Sequence, residues 1–339
     1  MQLSEFDFPF DPSLIALQPC FPRDHARLLV LQALDGSWTH RRIDELPDLL
    51  QPGDLLVVNN TKVLAARVVG RKCPSGTEVE ILFVKDLGDA IWEVLIKGTF
   101  RPGQMIEMGA DVSALVVERG ARRTTVRIES PIPWSEWLRQ HGRMPLPPYM
   151  KRAPTEQDRQ WYQTLFAEHE GAIAAPTAGL HFTQELLARL QRRGVGLATV
   201  TLHVGVGTFK PVTVDHIEDH QMGAEWLEVG AEAVRAIEQV RAKGGRIVAV
   251  GTTVVRALET AARAEGRIRS YRGETDMFMT PGSSFKVVDA LLTNFHMPRT
   301  TLLMLVAALA GTEFLRRAYA EAVRERYRFY SYGDAMLIL

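Results

Sequence analysis

The chain has 339 residues, 46% hydrophobic and 24% charged, which excludes a disordered or fibrous polymer and leaves room for two domains with proper cores. Forty Lys and Arg balance forty Asp and Glu, so no whole-molecule field draws in nucleic acid, and such a partner must be met by a local patch. Cys20 and Cys73 are too few for a disulfide framework or a thiolate metal cage and fit a reducing cytosol.

The N-terminus is acidic and lacks the basic start and apolar run of a signal peptide, and the longest apolar run, 302–310, is too short to span a bilayer. A soluble, cytoplasmic protein is expected. Strands are predicted at 27–31 (RLLVL) and 54–59 (DLLVVN), with a short helix at 46–50 stopped by Pro52-Gly53. Asn59-Asn60-Thr61-Lys62 follows the second strand. Such residues ordinarily make a turn, and a ligand-facing loop is the sharper alternative.

From 63 to 129 the pattern changes to short alternating runs at 63–69, 77–84, 91–96, 104–108, 112–117 and 124–128, punctuated by glycines. This predicts a small all-β barrel or sandwich of nearly balanced charge. The Pro-rich stretch 145–152 reads either as a stiff linker or as a rigid wall. In the second reading Tyr149 stacks on bases while Arg143, Lys151 and Arg152 meet phosphates.

Beyond 155, helices are predicted at 156–168, 184–193, 231–243, 253–264, 301–310 and 313–327. Strands are predicted at 173–175, 197–203, 246–250, 276–279 and near 286–287. The fold class that follows is α/β: a discontinuous α/β domain formed by both chain ends (1–62 plus 151–339), with an inserted small all-β barrel domain at 63–150.

Polar residues crowd where strands or loops meet helices. Pro-Thr-Ala-Gly-Leu-His-Phe-Thr at 176–183 offers Thr177, Gly179 and His181 ahead of a helix that Thr183 caps. Gly179 allows close approach of a ligand to the backbone, and the helix dipole favours a neutral imidazole at His181. A buried turn with a backbone-bonded histidine is the plainer alternative. Thr-Leu-His-Val-Gly-Val-Gly-Thr-Phe at 201–209 ends a strand in His203, Gly205, Gly207 and Thr208. It lacks the third glycine of a dinucleotide fingerprint. Gly251-Thr252-Thr253 opens a helix carrying Arg256 and Glu259. Arg256 suits a carboxylate, or else pairs with Glu259 at i,i+3.

Thr293-Asn294-Phe295-His296 precedes a helix capped by Thr300, and Ser331-Tyr332-Gly333-Asp334 packs Tyr and Asp around a glycine. His216 and His220 stand at i,i+4, but His-Ile-Glu-Asp-His matches no metalloprotease order and no third ligand is evident, so no metal is expected.

In this order, the motifs at 59–63, 145–149, 176–183, 201–209, 251–253, 293–296 and 331–336 resemble the S-adenosylmethionine:tRNA ribosyltransferase-isomerase family of queuosine biosynthesis, end to end. One departure is Gly223, where the family usually has a second histidine. The resemblance implies an α/β domain with an inserted β-barrel. It also implies transfer and isomerisation of the ribosyl unit of S-adenosylmethionine onto 7-aminomethyl-7-deazaguanine at the tRNA wobble position. Adenine and methionine would be released and epoxyqueuosine left.

S-adenosylmethionine is then a co-substrate, with no permanently bound cofactor, and a monomer is expected. On this reading His181 and His203 are the leading acid and base. Thr177, Thr208 and Asn294 would position sugar oxygens, with His296 a further catalytic choice. Gly179, Gly205, Gly207, Thr252, Thr253, Arg256, Tyr332 and Asp334 would hold S-adenosylmethionine, while Lys62, Arg143, Tyr149, Lys151 and Arg152 would contact tRNA. Methyl transfer from the same co-substrate and a non-catalytic tRNA-binding protein remain as alternatives.

Overall fold

The computed structural model describes residues 1–109, 111–120, 123–205, 207, 212–263 and 266–339. The chain divides into two compact units. One contains Met1–Lys62, Gln163–His169 and Ala175–Leu339, and the other Val63–Tyr162 with Glu170–Ala174. The α/β class with an inserted barrel, expected from the pattern of runs, is the fold observed.

The first unit is built on a nine-stranded sheet. Across the sheet the strands are Tyr271–Thr275, Glu225–Val229, Gly196–Leu202, Leu55–Asn59, Ile247–Val250, Ala290–Asn294, Ala335–Ile338, Arg27–Gln32 and Ser37–Arg42. The central strands are apolar without alternation (LLVVN, IVAV, ALLTN) because they are covered on both faces. Gly196–Leu202, Leu55–Asn59, Ile247–Val250 and Ala290–Asn294 run parallel, so their carboxyl ends meet at one edge. Ala335–Ile338 runs antiparallel to Ala290–Asn294, which puts its start at that same edge.

One face of the sheet carries Leu28, Leu56, Val58, Val248, Val250, Leu292 and Leu337. Ala178, Phe182, Leu186 and Leu190 pack onto it. The helix Gln184–Arg192 therefore docks by one stripe, and Thr183 caps it by accepting the Leu186 N–H at 3.1 Å.

The second unit holds a closed six-stranded antiparallel barrel in the order Thr124–Glu129, Ile91–Ile96, Thr77–Asp86, Arg67–Lys72, Met105–Gly109 and Val112–Arg119. Its strands alternate, as at Met105–Gly109, where Ile106 and Met108 point inward between exposed neighbours.

Several elements differ from the sequence-based expectation. The helix predicted at 156–168 shrinks to Asp158–Trp161. Its Asp158 faces inward, accepting from Thr155 and Arg152, so the segment folds around a buried carboxylate and not an apolar stripe. The strand predicted at 276–279 lies instead at Tyr271–Thr275, where it pairs with Glu225–Val229. Ala290–Asn294 and Ala335–Ile338, short runs with no periodicity of their own, are fully buried strands.

Candidate active site

The residues picked out by sequence gather mainly along the carboxyl edge of the sheet. Pleating decides which of them share a face. Val58 is in register with Thr199, so Asn60 and Thr201 follow on the same side, and Thr201 Oγ1 donates to Asn60 Oδ1 at 2.7 Å. His203 comes two residues later. Its N–H still bonds the Trp226 carbonyl, and its ring stacks on Trp226 with centroids 4.9 Å apart and planes at 17°. The same register passes through Val250 and Leu292 to Asn294. His203 and Asn294 therefore point to one face, the face covered by segment 176–183. Three strand spacings separate them, about 14 Å.

At one end of this row sits His181, buried in the short 3₁₀-helix Thr177–His181. Asn294 Nδ2 lies 3.2 Å from its Nε2 and also donates to the Tyr330 carbonyl at 3.0 Å. With the amide as donor, Nε2 is the acceptor and the ring proton sits on Nδ1. Burial pushes the imidazole down to about 4. The nearby Asp334 charge and a hydrogen bond to the Arg23 backbone work against that shift, and Arg328 and Arg23 with it. The neutrality expected from a helix dipole thus comes first from desolvation. Asn294 Oδ1 is buried and has no partner among the described residues.

At the other end, His203 is half-buried. Its Nδ1 shares a hydrogen bond of 2.8 Å with Thr61 Oγ1, and burial, helped by the charge of His169, moves its pKa below the ordinary value. Thr61 is positioned by Asn59, whose Oδ1 accepts the Thr61 and Leu202 N–H groups at 3.0 and 3.1 Å. Asn59 Nδ2 donates to the Leu202 carbonyl and to Thr253 Oγ1. Sequence reasoning flagged Asn-Asn-Thr as a polar loop but could not see that Thr61 and Trp226 hold His203.

Between the two histidines, segment 176–181 crosses the end of Ile247–Val250. Gly251 has φ 96°, where a side chain would be strained, and Ala178 Cβ stands 3.6 Å from where its own Cβ would lie. Thr252 and Thr253 start the helix Thr252–Ala262 and are buried, whereas Thr177 is half-buried.

Other expectations are corrected. Gly179 is buried against Thr164 and Phe166, with Thr164 Cγ2 at 3.0 Å from an added Cβ. Its bare Cα makes room for Thr164 in the packing. Arg256 does not pair with Glu259, whose carboxylate accepts the N–H groups of Lys286, Val287 and Val288. It forms a buried ion pair with Glu225, which in turn accepts the Gly205 N–H at 2.7 Å. Arg256 Nε donates to the Met277 carbonyl, and Nη2 is buried without a partner among the described residues. Asp334 is not open to a ligand: Arg27 N–H and the Arg328 backbone and guanidinium take its oxygens. Tyr332 is buried nearby.

His296 belongs to the opposite face. Its ring bonds Thr293 Oγ1 at 2.8 Å, its backbone N–H donates to the Tyr319 hydroxyl oxygen at 3.0 Å, and burial takes its ring to about 3. Gly207 is exposed, and Thr208 lies outside the described residues. His220 meets Phe278 edge-on, and the described residues contain no group of three metal-ligating side chains.

Among the residues assigned to RNA, Arg143 and Lys151 are exposed, and Lys62 and Tyr149 are half-buried. Arg152 is committed to Asp158 through two bonds of 2.7 Å. Burial alone would raise that carboxyl, but Arg152 and Thr155 hold it down to about 2. This is a structural pair.

A family model described as queuosine biosynthesis protein matches residues 3–338. Proteins named S-adenosylmethionine:tRNA ribosyltransferase-isomerase are 47% identical in Trichlorobacter lovleyi and 49% identical in Thermotoga maritima, over the full length of both chains in each case. A crystal structure of S-adenosylmethionine tRNA ribosyltransferase from Thermotoga maritima aligns at a TM-score of 0.58 and 39% identity, covering 99% of this chain and 100% of that one. The chain belongs to the queuosine biosynthesis protein family.

Proposed function

We propose that the chain transfers the ribosyl moiety of S-adenosylmethionine to 7-aminomethyl-7-deazaguanine at the tRNA wobble position and isomerises it, releasing adenine and methionine and leaving epoxyqueuosine. Full-length similarity to enzymes of that name supports the reaction class. The observation that carries the site is the pair of neutral imidazoles, His181 and His203, on one face of one sheet edge.

The sulfonium acidifies its neighbouring C5′–H, and a neutral base can take that proton. His203 is assigned this step: its ring is half-buried and, among the described residues, only its Nδ1 is engaged, by Thr61. The resulting carbanion opens the ribose as adenine leaves with a proton. The amine of the modified base then captures the former anomeric carbon, the carbocycle closes by formation of a new C–C bond, and an alkoxide displaces methionine to form the epoxide. His181 has both ring nitrogens engaged, so its assigned role is to position Asn294 and segment 176–181. Thr177, Thr252 and Thr208 are the hydroxyls proposed for sugar oxygens. Arg256 holds the Gly205 loop through Glu225, and its Nη2 is the donor left for a carboxylate.

S-adenosylmethionine acts as a co-substrate, without a resident cofactor or metal, in a monomeric cytoplasmic enzyme. The test is incubation with S-adenosylmethionine and tRNA bearing the aminomethyl base. Free adenine and methionine in equal amounts are expected. Release of S-adenosylhomocysteine would assign methyl transfer, and no turnover would leave a binding protein.

A further inference from the structure

The charge of the chain is balanced overall, yet within the barrel unit it is segregated. A groove of about 1010 Å³ runs over that unit, lined by seven Arg and Lys side chains against only Glu78 and Glu80. Three of the cations are already spent: Arg67 on Glu80, Arg123 on Glu118 and Arg152 on Asp158. Arg119 donates to the Thr124 hydroxyl and the Gly98 carbonyl, neutral acceptors that leave its charge uncompensated. Lys97, Arg143 and Lys151 are exposed, and their side chains make no hydrogen bond or ion pair among the described residues. Between these charges the floor is apolar, with Leu95 42% exposed beside Pro147 and Pro148.

We infer that this groove is the track on which the enzyme holds the phosphate backbone of its RNA, with Lys97, Arg119, Arg143 and Lys151 as the phosphate contacts. The inference rests on the tRNA-modifying reading above and adds the place of contact. It brings in Lys97 and Arg119, which the linear sequence did not single out, and removes Arg152. Uncompensated, solvated cations at the rim of an apolar floor are what a polyanion needs. Their charge releases counterions on contact; Lys97, Arg143 and Lys151 give up no partner among the described residues in doing so, and Arg119 only neutral acceptors. Phosphate contacts of this kind set register without reading sequence, which suits an enzyme whose choice of target is made at one modified base.

The test is binding of a labelled anticodon stem-loop RNA to the full chain across a salt series. The triple variant Lys97→Gln, Arg143→Gln, Lys151→Gln is compared with Lys243→Gln, an exposed control in the other unit. Each lost contact should flatten the slope of log affinity against log salt by roughly 0.7–0.9, so the triple variant loses about 2–2.7, with affinity at low salt down at least about tenfold. Adenine release at saturating tRNA should keep its maximal rate in the triple variant while the KM for tRNA rises. A wild-type slope in the triple variant overturns the inference. So does binding of polyglutamate as tight as RNA of equal charge, which would mark an acidic-peptide groove. Failure of the wild-type enzyme to release adenine would strike the proposed reaction and not the groove, because RNA binding is read separately.

Discussion

The two ends of the sheet edge hold the same side chain in opposite conditions. His181 is buried, takes Asn294 at one ring nitrogen and the Arg23 backbone at the other, and is held neutral down to about pH 4. His203 is half-buried, takes only Thr61 among the described residues, and lies with one ring face on Trp226. Burial lowers the proton affinity of both, but only His203 has a ring nitrogen without a partner among the described residues. A locked imidazole organises its surroundings, and an open one can move a proton.

Substitutions can break that contrast. His203→Ala should lower kcat by a factor on the order of a hundred to ten thousand, with S-adenosylmethionine affinity within a few-fold of the parent in equilibrium binding. Equal losses from His181→Ala would erase the distinction. Instead His181→Ala should lower kcat only about tenfold and destabilise the fold by about 1–3 kcal/mol in denaturant unfolding, because Asn294 Nδ2 loses a buried partner. Trp226→Leu removes the stacked face and should reduce kcat a few-fold, while NMR titration should show the His203 pKa returning toward its ordinary value.

The pH dependence sharpens the same contrast. The folded pKa of His181, about 4, lies below the unfolded value of about 6.5, so below that value the unfolded chain binds a proton that the folded chain refuses. Its contribution to stability is present above pH 6.5 and is lost as pH falls toward 4. His296, at about 3, acts in the same direction. His181→Asn should flatten the acid side of a stability-versus-pH curve. The acid limb of kcat, by contrast, should follow His203 and lie below pH 6.5.

Much of the fold was legible because apolar runs declare themselves. DLLVVN could only be a buried strand, and the six short runs after 63 could only be brief strands between turns. Thr183 was readable as a cap because capping is local. What was not legible depends on distant partners. Ala335–Ile338 is only four residues long and becomes a strand because Ala290–Asn294 and Arg27–Gln32 flank it. The predicted helix 156–168 failed because Asp158 is turned inward by Arg152, a pairing no periodicity reveals. At the edge of the sheet, the histidines could be named from their motifs, but their surroundings could not. Trp226 reaches His203 only through the antiparallel pairing of Gly196–Leu202 with Glu225–Val229.

The most direct measurement of the base at His203 uses S-adenosylmethionine carrying two deuterium atoms at C5′, with the epoxyqueuosine nucleoside analysed by mass after turnover. One deuterium should be lost to water in the wild-type product, and adenine release should fall at least about a hundredfold in His203→Ala. A product that retains both deuterium atoms, or wild-type adenine release by the variant, would contradict a proton-abstracting imidazole at the edge of the sheet.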